Sequence, residues 1–211
     1  LNKNSNTKIH STAIIGNNVE ISSGVEIGAY SIIYDNVKIG KNTKIYSHCV
    51  IGSDIEYKGR TPANDAGVII GDNCIIREFV TINNNITEHK TKIGNGCYIM
   101  TKSHIGHDSI LGDNVLVCSS AIVGGHSKIG NFCYLGLGSV LHPFSEIDDL
   151  SLIAAQAFFK GKSPKGILWA GIPSRAININ IVGIDRNIED ENYKQELLKN
   201  AKEFLQEEKL K

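Results

Sequence analysis

The sequence predicts an all-β solenoid, a triangular parallel β-helix with a short α-helix towards its C-terminal end, and two observations carry that expectation. First, an aliphatic residue recurs every six positions. It runs through Ile9, Ile15, Ile21, Ile27, Ile33, Ile39, Ile45 and Ile51, and returns at Ile70, Ile76 and Ile82. It then continues through Ile93, Ile99, Ile105, Leu111, Val117, Val123, Ile129, Leu135, Leu141, Ile147 and Ile153. Second, the position four residues further on is small, as at Ala13, Val19, Val25, Ser31, Val37 and Thr43. A period of six fits neither a helical turn nor simple strand alternation. It fits a short strand followed by a corner, three of which close one coil, with the aliphatic side chains stacking inside the prism.

The elements follow in order. Residues 1–8 are polar and contain no apolar core of a secretory signal. The β-helix is expected over residues 1–160, and Gly16, Gly28, Gly40 and Gly52 follow the aliphatic residue as each corner begins. Two polar segments, at about 57–67 and 84–92, break the beat and are expected to leave the prism as loops, the usual carriers of function on a solenoid. Cys49, Cys74, Cys97 and Cys133 fall on the small internal position, and Cys118 follows an aliphatic one. They read as core filling, not as a disulfide framework. Ala155, Phe158 and Phe159 either limit a pocket or close the last coil. Residues 161–211 are expected to form an exit segment and a helix from about 188 to 210, with Asn187 and Asp190 near its start. Its stripe of Tyr193, Leu197, Ala201, Phe204 and Leu205 is expected to pack on the prism or on a neighbouring subunit.

The chain has 211 residues, 22 basic and 22 acidic side chains and a formal net charge of zero. That balance argues against a nucleic-acid or anionic-membrane binder. No apolar stretch approaches the roughly 18 residues of a membrane span, so a cytoplasmic protein is expected.

Four of the seven histidines gather between residues 104 and 142. One coil on from His107 is Gly125, and one coil on again is Pro143; Asp108 is followed in the same way by His126. His104, His107, His126 and His142 therefore line one prism face, where imidazoles titrate near neutrality. Three readings stand: solvated corner residues, a zinc site of the kind found in trimeric carbonic anhydrases, and acyl transfer. In the last, a neutral histidine takes the acceptor's proton while a backbone N–H holds the oxyanion. Gly125 beside His107 suits it, because a residue without a side chain admits an acyl carbonyl.

The segments IREFVTINN, HIGHDSILGDN, SSAIVGGHSKIG and LGLGSVLHPF resemble the UDP-N-acetylglucosamine acyltransferase family of lipid A biosynthesis, within the wider hexapeptide-repeat superfamily. The resemblance covers about residues 9–186. It implies a left-handed parallel β-helix, a homotrimer, and no permanently bound cofactor or metal. The implied reaction moves an acyl group from a thioester co-substrate, carried by acyl carrier protein or coenzyme A, to a nucleotide-activated glucosamine-type sugar. His107 would be the general base, Asp108 its orienting partner and Gly125 the oxyanion-hole residue. Asp54, His104, His126 and His142 would contact substrate, and Arg186 the nucleotide phosphates.

The sequence departs from the family at Pro143 (usually Gln), Glu56 (Lys), Asn83 (His) and Asn187 (a second Arg). One predicted helix stands where the family has a C-terminal helical domain, and WAGIPSRAI is similar to the exit of coenzyme-A-dependent sugar acetyltransferases. Coenzyme-A-dependent N-acylation of a nucleotide-linked amino sugar therefore remains an alternative. So does a non-catalytic β-helix scaffold.

Overall fold

The computed structural model describes residues 6–210; the polar residues 1–5 lie outside them. The chain forms a left-handed parallel β-helix. Each coil lays one short strand in each of three sheets, which hold ten, eight and eight strands. Tyr98 stacks on Leu116, Leu116 on Tyr134 and Tyr134 on Leu152 in the first sheet, in unbroken register. In the second sheet Thr81 pairs with His104, His104 with Ile122 and Ile122 with Val140.

The six-residue beat becomes a solid interior. Ile33, Ile51, Ile82, Ile105 and Val123 of the second sheet are fully buried, and Val25, Val37, Cys49, Cys74 and Val115 fill the small positions. All five cysteines are buried and free. At most corners the third residue after the aliphatic one has positive φ, including Asn18, Asn36, Asn42, Asn73 and Asn114. Asn tolerates that left-handed conformation better than most residues. At the corner between the third and first sheets an Asx ladder closes the turns. The N–H of Asn95 donates to Asp113 Oδ1 (2.7 Å), that of Asp113 to Asn131 Oδ1 (2.8 Å) and that of Asn131 to Asp149 Oδ1 (2.7 Å).

The excursions leave the second sheet after the strands Val50–Ser53 and Thr81–Asn83, and the chain re-enters the prism in the third sheet at Val68–Ile70 and Thr91–Ile93. The next strand thus begins inside the range the sequence assigned to the second loop. Thr91 is drawn back by its buried hydroxyl, which donates to the carbonyl of Asn84 at 3.0 Å.

The last coil is closed by Phe159, fully buried, with Trp169 edge-on at 5.0 Å. The exit segment is more ordered than expected. Ile167–Gly171 and Ser174–Ile179 form an antiparallel hairpin, and a short helix, α1 (Ile181–Asn187), precedes the long one, α2 (Glu191–Lys209). The sequence assigned neither the hairpin nor α1, because Gly and Pro around them read as loop punctuation. Asn180 caps α1, accepting from the N–H of Gly183 at 3.2 Å, and Asp190 caps α2 through the N–H groups of Asn192 and Tyr193. Leu197 and Ala201 of α2 are buried against Leu150, Ile167, Ile179 and Ile184, so the apolar stripe packs on the chain's own prism end. No helix among the described residues is long and apolar enough to cross a membrane.

Candidate active site

His107 and Asp108 occupy the corner after the strand His104–Ile105. The left-handed corner position is taken by Asp108 (φ 57°), by His126 (φ 60°) one coil on and by Phe144 (φ 63°) one coil further. These side chains therefore stack in a column. His107 Nδ1 donates to Asp108 Oδ2 at 2.9 Å, the only polarity open to an ionised carboxylate. In the neutral ring that fixes the tautomer, with Nε2 as the acceptor. A Cβ on Gly125 would stand 2.6 Å from this Nε2, so the ring can lie there only over glycine. Among the described residues the Gly125 N–H donates to no acceptor, whereas equivalent corner N–H groups in the Asx ladder are capped.

Asp108 is itself tightly held. Its Oδ1 accepts from the Thr87 N–H (2.8 Å) and the Thr87 hydroxyl, and its Oδ2 also accepts from the Ile86 N–H (2.9 Å). Burial pushes its carboxyl up. The Thr87 hydroxyl, the Ile86 N–H, His107 and the Thr87 N–H outweigh it and hold the group below the ordinary carboxylate value.

Around this dyad the rings of His107 and His126 meet edge-on at 4.8 Å, and His126 stacks flat on Phe144 at 4.5 Å. Tyr57, from the first excursion, presents an edge-on ring 6.2 Å from His107. His104 Nδ1 is bonded to the Thr81 hydroxyl at 2.7 Å. Burial lowers the basicity of His104, opposed by the charge of Glu56 and reinforced by His107. Burial likewise lowers that of His126, opposed by Asp108 and reinforced by His107.

Four of the residues the sequence singled out, His107, Asp108, Gly125 and His126, meet directly, and His104 stands beside them. His142 lies further along the prism, its Nδ1–H donating to the Pro143 carbonyl (2.8 Å) and its ring edge-on to Phe158. Asp54 is exposed on the first excursion, its carbonyl accepting from Asn83 Nδ2 at 2.8 Å. Arg186 is not brought to the histidines within one chain. It sits in α1 beside Asn114, Leu116, Phe132 and Tyr134, at the corner joining the third sheet to the first, whereas His107 lies at the corner joining the second to the third. Sequence reasoning missed Tyr57, Thr81, Thr87, Thr91 and Phe144. Only Phe144 had a signal, since it stands one coil beyond His126.

His107, Asp108 and His126 could each offer a metal ligand atom, all within 4.8 Å of one another. Both Asp108 oxygens are already occupied by hydrogen bonds, however. The cluster is thus built as a hydrogen-bonded dyad with an adjacent ring, not as an open metal cage.

A family profile, the bacterial transferase hexapeptide (six repeats), matches residues 20–53 and 90–125. The solved structure of LpxA from Acinetobacter baumannii superposes with a TM-score of 0.78 at 32% identity, covering 90% of this chain and 81% of that one. The chain belongs to the UDP-N-acetylglucosamine acyltransferase family. A second solved member, the UDP-N-acetylglucosamine O-acyltransferase of Moraxella catarrhalis, gives a TM-score of 0.79 at 27% identity over 90% of this chain and 82% of that one. The acyl-(acyl-carrier-protein)–UDP-N-acetylglucosamine O-acyltransferase of Campylobacter concisus is 39% identical over 118 residues, 54% of this chain and 42% of that protein. The chain thus spans about half the length of the curated acyltransferase relatives it matches.

Proposed function

We propose that this chain transfers an acyl group from a thioester to a nucleotide-activated glucosamine-type sugar. His107 Nε2 takes the proton of the acceptor hydroxyl as its oxygen attacks the thioester carbonyl. The Gly125 N–H stabilises the resulting oxyanion; the C–S bond then breaks, and His107 returns the proton to the departing thiolate. The observation that carries this reading is the bare Nε2 held over a glycine by a buried, hydrogen-bonded aspartate. In this assignment His104, His126, His142 and Asp54 contact the sugar nucleotide. Arg186 contacts its phosphates from another copy of the chain, because it lies at a different corner of its own prism. That arrangement supports a homotrimer, a closed ring in which each groove takes its second wall from a neighbour. A cytoplasmic setting, where thioester donors and nucleotide sugars meet, accords with it.

A second reading is favoured by Glu56, whose charge bears on His104. An acidic side chain there suits an amino group on the acceptor, and so a coenzyme-A-dependent N-acyltransfer. Thiol release separates the two. Hydroxyacyl carrier protein and acetyl-coenzyme A are each offered with UDP-N-acetylglucosamine and with a 3-amino nucleotide sugar. Turnover with carrier protein and the hydroxyl sugar supports the first reading. Turnover only with coenzyme A and the amino sugar supports the second, and no thiol release from any pair overturns both.

A further inference from the structure

The second excursion does more than border the groove. Its buried Asn85 joins both loops. The Asn85 carbonyl accepts from the N–H of Ala63 at 3.0 Å, and its Oδ1 accepts from the N–H of Gly67 at 2.9 Å. Its Nδ2 donates to the carbonyl of Thr87 at 2.5 Å. Thr87, so placed, gives Asp108 two donors on Oδ1, and Ile86 gives one on Oδ2. From the other side the Thr91 hydroxyl, tied to Asn84, accepts from the Asp108 N–H at 2.8 Å. An aspartate on a left-handed corner has free side-chain torsions of its own. Here every oxygen is assigned, and Oδ2 has one remaining direction, towards His107 Nδ1.

We propose that Asn85 and Thr87 are positioning residues of the acyl transfer. In this account residues 84–90 form a strap that locks the Asp108 carboxylate, and through it the Nδ1–H tautomer of His107. The inference rests on His107 acting as the base, but the strap itself is measurable without turnover. Thr87 is exposed, so replacing it leaves the prism core untouched. The Thr91 contact to the Asp108 N–H does not depend on Thr87, which keeps the corner folded in the variant.

The test compares the wild-type chain with Thr87→Val, which keeps shape and loses the hydroxyl, and Thr87→Ser, which keeps the hydroxyl. Two readouts are taken: thiol-release kinetics with the donor and acceptor pair that the wild-type chain turns over, and long-range ¹H–¹⁵N spectra of the His107 ring. Thr87→Val is expected to lower kcat about tenfold, the scale of one hydrogen bond to a charged group, with KM nearly unchanged. Its His107 spectrum is expected to show mixed tautomers in place of one Nδ1–H form. Thr87→Ser is expected to restore both. A Thr87→Val spectrum that keeps the single tautomer overturns the proposal whatever the rate, and so does an unchanged kcat or a change confined to KM. His107→Ala serves as the control for the underlying reading. If it turns over like wild type, the base assignment falls, while the tautomer spectra still decide whether the strap exists.

Discussion

At the residue scale the site is a question of what can stand next to what. His107 Nε2 occupies the space that a side chain at position 125 would fill, so the ring and the bare backbone at Gly125 require each other's geometry. Gly125→Ala keeps its backbone N–H but is expected to displace the His107 ring and so to lower kcat by about 10²-fold or more, the scale of losing a positioned general base, with thermal unfolding little changed. The backbone there has no positive φ that would strain an alanine, which separates a catalytic loss from a folding one. His107, Asp108, Gly125 and His126 were legible in the sequence because the repeat is a ruler: one coil added to 107 or 108 gives 125 or 126. Thr87 and Tyr57 were not, because they come from segments that leave the repeat, where spacing no longer predicts neighbours. Thr81 and Thr91 lie on strands but read as ordinary pleat residues until their hydroxyls are placed against His104 and Asp108.

At the element scale the coil is the unit of stability, since each coil touches mainly its neighbours. Ile105, fully buried between Ile82 and Val123, sits in the strand that carries His104 and leads to His107. Ile105→Ala is expected to cost about 2–5 kcal/mol of unfolding free energy by denaturant titration, as for other large core truncations. A cost within error of zero would mean that the stacked column contributes nothing there. The strands and their corners were predictable because burial repeats with the sequence period. The hairpin and α1 were not, because Gly166, Gly171 and Pro173 punctuate them and their packing partners, Leu150 and Leu197, lie in other elements. Tertiary contact, with Asn180 as cap, decides that local structure.

At the scale of the whole molecule, the corner carrying the histidines and the corner carrying Arg186 are different edges of one prism. A site using both must be shared between copies. His107→Ala and Arg186→Ala chains, each weakly active alone, are expected to recover activity when coexpressed, because mixed assemblies contain grooves with both residues intact. Recovery no greater than the sum of the two would remove Arg186 from the shared site. The central claim, that His107 drives acyl transfer over Gly125, is tested most directly by thiol release from wild-type and His107→Ala protein with a matched donor and acceptor. A loss of about 10²–10⁴-fold in kcat with an unchanged unfolding transition is expected; near-wild-type turnover in the folded variant would rule out His107 as the base.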